Sequence, residues 1–289
     1  MAGNTAIFVT DARQKYIADY LPGRACPVDW KMKYDEYKAK ELLDSCERIV
    51  LPTPVSKLDK NTKICELLNE ELKKRRKGHF CVFGGAFTDE WADRLEKENI
   101  LYYDLMKDEC VALKNAQITA EATVAEILTH SAYSIQGQKI IVTGYGRCGR
   151  AVANLLKAMG AKITVLARSA DDRKRAQAEG HIAVNFSYGP EEAYGARTVV
   201  NTVPAMVLKE PILKEMHPDT VILDIASRPG GTDLAAAEAH GIQVIPALGL
   251  PGIYTTKSSA KVLADAIHSY AHPEEEKREG RVWIFQIAI

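Results

Sequence analysis

Between Lys139 and Gly160 the chain passes from an apolar strand-like run, Ile140-Ile141-Val142, through Gly144-Tyr145-Gly146-Arg147-Cys148-Gly149, into an amphipathic stretch from Arg150 to Met159. In this pattern the first glycine permits a tight turn, the second lets a diphosphate approach the backbone, and the third lets helix and strand pack closely. Free N–H groups and the positive helix end then face the anion. Gly160 stands where a left-handed helix cap is expected. The spacing alone is a weak signal, but between a strand and a helix it predicts a dinucleotide site built from Gly144, Tyr145, Gly146, Arg147, Cys148 and Gly149.

About 20 residues past such a loop, NAD-specific sites end the second strand with an acid that binds the ribose 2′-hydroxyl. Here the place is held by Ala167, followed by Arg168 and Ser169. A guanidinium suits a 2′-phosphate and Ser169 adds a donor, so NADP is expected, with NAD possible and Arg173 as a second clamp. Later strand ends offer further cofactor contacts: Asn201-Thr202-Val203-Pro204 near the nicotinamide ribose, Ser227 after the next strand, and Leu250-Pro251 shaping the nicotinamide pocket.

Apolar β-rich runs alternating with amphipathic stretches indicate α/β architecture with two doubly wound parallel sheets, the C-terminal one a Rossmann dinucleotide fold. First-half strands are predicted at 6–10, 48–52, 80–84 and 100–105, and second-half strands at 139–143, 162–166, 181–186, 198–203, 221–226 and 243–247. Thr119 is predicted to cap a helix running to about Tyr133. The expected division is a substrate-binding domain over 1–135 and a dinucleotide domain over 136–257, with 258–289 returning to the first. The apolar run Arg281–Ile289 is expected to be tied down by packing.

Lys and Arg total 38, as do Asp and Glu, so no net field draws the chain to nucleic acid or an anionic membrane. The basic run Lys73–Lys77 is read as a solvated helix end. No apolar stretch approaches the ~20 residues a bilayer requires, and the 6 cysteines show no metal spacing, so a cytoplasmic protein with reduced thiols and no bound metal is expected.

Taken together, Gly144–Gly149, Ala167–Ser169, Asn201–Val207, Asp224–Asp233 and Leu248–Gly252 resemble the family of dipicolinate synthase A-type subunits, and the likeness reaches the first half through Asp11–Gln14 and Asn115–Glu121. The family's pattern Asn-Ala-x-Pro-Thr-Ala-Glu-Gly is met here with Ile118 for the proline and Ala122 for the glycine. Val9-Thr10-Asp11 also lacks the glycine pair that many relatives carry before the aspartate. The resemblance implies NADP-dependent oxidation of dihydrodipicolinate, a small dicarboxylate, in the mother cell of a sporulating bacterium. It also implies action with the flavoprotein-like B-type subunit of dipicolinate synthase, and homo-oligomers are expected besides.

Such a substrate needs cations or N–H donors, for which Arg13 and Arg228 are the first candidates, with Thr53, Gly84, Gly85 and Thr119 as further substrate contacts. Glu121 and Asp11 are the candidate general bases. No histidine lies in Pro246–Gly252, where a D-2-hydroxyacid dehydrogenase would place one. A methylene-tetrahydrofolate-type dehydrogenase and a non-catalytic dinucleotide-binding scaffold are the remaining rivals.

Overall fold

The computed structural model describes residues 4–29, 36–58, 63–74 and 81–271. The chain divides into two compact units, one comprising residues up to Lys114 and from Thr255 onward, the other Asn115–Tyr254. The first contains strands β1 (Thr5–Val9), β2 (Ala25–Asp29), β3 (Arg48–Val50), β4 (Cys81–Gly84) and β5 (Leu101–Asp104), with helices α1 (Ala12–Ile17), α2 (Glu36–Ser45), α3 (Lys63–Lys74) and α4 (Asp89–Lys97) between them. Helix α5 (Glu109–His130) runs from this unit into the next.

The second unit holds β6 (Lys139–Thr143), α6 (Arg147–Ala158), β7 (Lys162–Leu166), α7 (Ala170–Ala178), β8 (Ile182–Val184), α8 (Gly189–Ala193) and β9 (Thr198–Asn201). It continues with α9 (Glu210–Leu213), β10 (Val221–Asp224), α10 (Leu234–Ala239) and β11 (Gln243–Pro246) before α11 (Thr256–Ala271) rejoins the first unit.

Both sheets are parallel, and their strands are near-continuous apolar runs because each face is covered, successive side chains entering opposite cores. In the second unit Ile140, Val142, Val165, Val200 and Leu223 pack into one core, while Ile141, Leu166, Val199 and Ile222 pack into the other. In the first unit Ala6, Phe8, Ile49 and Val82 face one core and Ile7, Val50 and Phe83 the opposite one. This second core is closed by α11, whose Ala260, Leu263, Ala264 and Ile267 pack with Ile17 of α1.

Strand order is β2-β1-β3-β4-β5 in the first sheet and β11-β10-β9-β6-β7-β8 in the second. These are the two common doubly wound orders, each with one point where the winding reverses and where ligands bind beyond the strands' carboxyl ends. The reversal lies between β1 and β3 in the first unit and between β6 and β9 in the second.

Three sequence expectations change. Strand β2 was absent from them because Ala25-Cys26-Pro27-Val28-Asp29 reads poorly as a strand; it lies at the sheet edge, where Pro27 has no outer partner to fail. Thr119 caps nothing: α5 begins ten residues earlier, where the Asp108 carboxylate accepts from Val111 N at 3.0 Å. Ile118 supplies the backbone N–H that a proline would lack, so the helix runs on through it. The division between units consequently falls inside α5, at 114/115 rather than 135/136, and at 254/255 rather than 257/258. Residues 75–77 of the basic run and the apolar stretch Arg281–Ile289 lie outside the described residues.

Candidate functional site

At the β6/β9 reversal the three loop glycines have different reasons to be glycine. Gly144 has φ +81°, and a Cβ there would stand 2.8 Å from Val203 Cγ2. Gly149 lies so close to the turn that its Cβ would clash with Gly144 O. A Cβ on Gly146 would meet nothing within 4 Å. Among the described residues nothing demands glycine at 146; a diphosphate approaching the backbone would. Gly146 caps α6, and Arg150 N closes the first turn on Gly146 O at 2.9 Å. The amides at the start of α6 are the donors a diphosphate would use.

Tyr145 contributes backbone only. Its side chain is 2% exposed in the core under the loop, and its hydroxyl donates to Glu179 at 2.8 Å. Glu179 also accepts from Asn154 Nδ2 at 2.7 Å and Arg150 Nε at 2.8 Å. Burial works to raise the Glu179 pKa, but the hydrogen bonds from Asn154, Arg150 and Tyr145 outweigh it and hold the carboxyl at about 2. Burial, then the bond to Glu179, pushes the Tyr145 phenol up. Half-buried Cys148 is likewise raised by burial, so it sits in the loop as a thiol.

Asn201 is fully buried. Its Oδ1 accepts from Thr143 Oγ1 and from Val203 N, while its Nδ2 donates to Val203 O at 3.1 Å and to Asp224 Oδ1 at 2.8 Å. Asp224 in turn accepts from Gly231 N at 2.9 Å, Thr232 Oγ1 at 3.1 Å and Ala226 N at 3.2 Å. This network ties together the loops after β6, β9 and β10 and leaves its polar atoms partnered. Half-buried Thr202 donates to Thr143 O at 2.6 Å, with Val203 against Gly144 and Pro204 exposed beyond it.

Leu250 and Pro251 are both buried, Leu250 against Ala122 of α5 and Ala247. Ser227 and Arg228 are exposed after β10, ahead of a cis Arg228–Pro229 bond.

At the end of β7, Ala167 is buried and Arg168 exposed. Ser169 caps α7 by accepting from Asp172 N at 3.3 Å. Arg173 is not an outward clamp through Nη1, which donates to Ala167 O at 2.8 Å and Arg168 O at 2.7 Å, holding the turn that presents Arg168. Asp172 is paired with Arg175, which moderates the negative charge beside that turn.

The β1/β3 reversal of the first unit brings together Asp11, Arg13 and Thr53. Asp11 caps α1 and accepts from Arg13 N at 3.1 Å and Arg13 Nη2 at 3.3 Å. Arg13, 4% exposed, also donates from Nη2 to Thr53 O at 2.9 Å, while its buried Nε has no partner. Gly85 lies against Thr53, whose Cγ2 would be 2.5 Å from an added Cβ, and Gly84 packs on Phe87 and Val55, which an added Cβ would meet at 2.8 and 2.9 Å.

Lys57 joins this cluster without any motif to announce it. It ends the short 3-10 turn Val55–Lys57 after β3, and its Nζ lies 3.1 Å from Asp11 Oδ2. A lysine four residues past Thr53, with a carboxylate after β1 to meet it, was the signal available.

Thr119 and Glu121 belong to the second unit, mid-helix on α5. Thr119 is buried and donates back to Asn115 O at 2.8 Å, which takes its hydroxyl away from any cap, and Glu121 is exposed.

The fold and the glycine loop define a dehydrogenase-type protein, an NAD(P)-dependent oxidoreductase with a nicotinamide dinucleotide site on its second unit. Residues 103–229 match the family described as D-isomer specific 2-hydroxyacid dehydrogenase, NAD binding domain. The chain is 32% identical over 218 residues to the A-type subunit of dipicolinate synthase from Bacillus subtilis (strain 168), covering 74% of this chain and 72% of that one. The crystal structure of the A-type subunit of dipicolinate synthase from Bacillus halodurans is similar with a TM-score of 0.79 at 28% identity, over 93% of this chain and 98% of that one. That of the corresponding dipicolinate synthase chain from Bacillus subtilis follows with a TM-score of 0.76 at 25% identity, over 96% and 98%. The chain belongs to the family of dipicolinate synthase A-type subunits. Among the described residues no helix is long and apolar enough to cross a membrane.

Proposed function

We propose that this protein oxidises dihydrodipicolinate to dipicolinate with NADP as the acceptor, working with the separate B-type subunit of dipicolinate synthase in the cytoplasm of a sporulating mother cell and self-associating as well. The observation that carries the reading, in a chain of this family, is a glycine loop open at Gly146 beside an exposed Arg168 where NAD-specific sites hold an acid. Arg168 suits a 2′-phosphate, although NAD can still occupy the loop through its diphosphate.

The nicotinamide supplies the hydride acceptor. Loss of that hydride from one ring carbon, and of a proton from the neighbouring position to water, leaves the aromatic pyridine. Aromatisation drives the step, so the chain's task is chiefly to hold the ring and keep competing water from the reacting carbons. Asp11 already accepts from Arg13 and Lys57, which suits it to holding cations in place better than to taking a proton. Glu121, exposed on α5, is the candidate left to receive that proton ahead of water.

The test mixes the protein with NADP and freshly generated dihydrodipicolinate, with and without the B-type subunit, and follows the reduced-nicotinamide absorbance. Growth of that band in the complete mixture is expected. Cofactor binding with no band in any mixture would leave a dinucleotide-binding scaffold as the better account.

A further inference from the structure

We propose that Lys57 binds a carboxylate of the substrate at the β1/β3 reversal, held ready there by Asp11. The inference rests on the reading of this protein as a dicarboxylate oxidoreductase, and it names the side chain that reads the charge.

Three observations carry it. The first sheet has the doubly wound order β2-β1-β3-β4-β5, so its ligand position is beyond β1 and β3, where the loops bearing Asp11, Arg13, Thr53 and Lys57 converge. Secondly, charge there is unbalanced: the single Asp11 carboxylate meets both the Arg13 guanidinium and the Lys57 ammonium, leaving one positive charge uncompensated within the cluster. Thirdly, the two cations differ in what they can offer. Arg13 is sunk in the unit, its side chain 5% exposed and its Nη2 spent on Asp11 and the Thr53 carbonyl. Lys57 is 36% exposed, and among the described residues Asp11 takes one of its three N–H donors.

Arg13 therefore fixes the loop, Asp11 turns the ammonium toward a defined place, and Lys57 keeps donors for an incoming anion. A second carboxylate arriving at Lys57 would complete a pairing that the protein alone leaves open. Asp11 and Arg13 act on the substrate through Lys57 and the Thr53 loop, as positioning residues.

The test is calorimetric titration of dipicolinate, with NADP titrated in parallel, into the full chain and its Lys57→Met and Lys57→Arg variants. The unsubstituted protein should bind dipicolinate. Lys57→Met should weaken that binding about 10- to 100-fold, the range expected for losing a hydrogen bond from a charged group, with NADP affinity unchanged. Lys57→Arg should recover a substantial part of the loss. Equal dipicolinate affinity in Lys57→Met and the unsubstituted protein would overturn the role of Lys57 while leaving the proposed reaction standing. Absence of dipicolinate binding to the unsubstituted protein, with NADP bound normally, would overturn both. Loss of NADP binding along with dipicolinate in Lys57→Met would mark Lys57 as a structural residue and also overturn the inference.

Discussion

The two sheets reverse their winding in the same way and finish the reversal with opposite chemistry. Beyond β6 and β9 the protein presents backbone: three glycines, amides ahead of a helix ladder, and a polar network of Thr143, Asn201 and Asp224 that satisfies itself and faces inward. Beyond β1 and β3 it presents side-chain charge, with two cations on one carboxylate and a buried guanidinium nitrogen left without a partner. A diphosphate with delocalised charge is well met by amides, and a carboxylate is met most strongly by discrete cations. The same sheet geometry thus supports one reversal that presents backbone and another that presents side-chain charge.

The sharpest way to break the contrast is in the inward-facing network. Asp224→Ala strips an acceptor from Asn201, Gly231, Ala226 and Thr232 at once, and thermal or denaturant unfolding should show a loss of about 3 kcal/mol or more. A loss under about 1 kcal/mol would mean that the loops do not depend on it.

Next come the glycines. Gly149→Ala should cost about 1–3 kcal/mol of stability, because its Cβ would press on Gly144 O. Gly146→Ala should leave the unfolding midpoint where it was and weaken dinucleotide binding about tenfold or more, since only a ligand needs that space. Equal behaviour of the two variants would erase the distinction between packing glycine and ligand glycine.

Arg168→Asp sharpens the cofactor side. NADP binding should weaken by a few kcal/mol at most, about 2 kcal/mol being typical of a lost charge-assisted bond, and NAD binding should change far less. Parallel titrations with both dinucleotides decide it.

The smallest effect belongs to pH. Glu179 is held at about 2 in the folded chain against an ordinary 4.5, so its contribution is complete above about pH 4.5 and drains away as pH falls toward 2. Glu179→Gln should flatten that stretch of the stability profile. An unchanged slope between about pH 5 and 2 would show that the clamp on Tyr145 carries no linkage.

The same contrast explains what could be read from the sequence. A backbone-read site leaves its mark as spacing, so Gly144, Gly146 and Gly149 were visible within six residues, and the β-branched runs announced all six strands of that sheet. A charge-read site is assembled from loops distant in the chain, and nothing local ties Lys57 to Asp11; only the strand order makes them neighbours. Asn201, Leu250 and Pro251 each follow a strand, but the sequence does not say which side chains turn inward, and all three are buried. Thr119 misled because a threonine bonding back to Asn115 O inside a helix has the same sequence appearance as a cap.

A crystal of the protein soaked in NADP tests the central claim most directly. The diphosphate should rest on the amides of residues 146–149, with the 2′-phosphate within hydrogen-bonding distance of Arg168. Density for the diphosphate elsewhere, or a side chain filling the space above Gly146, would contradict the account.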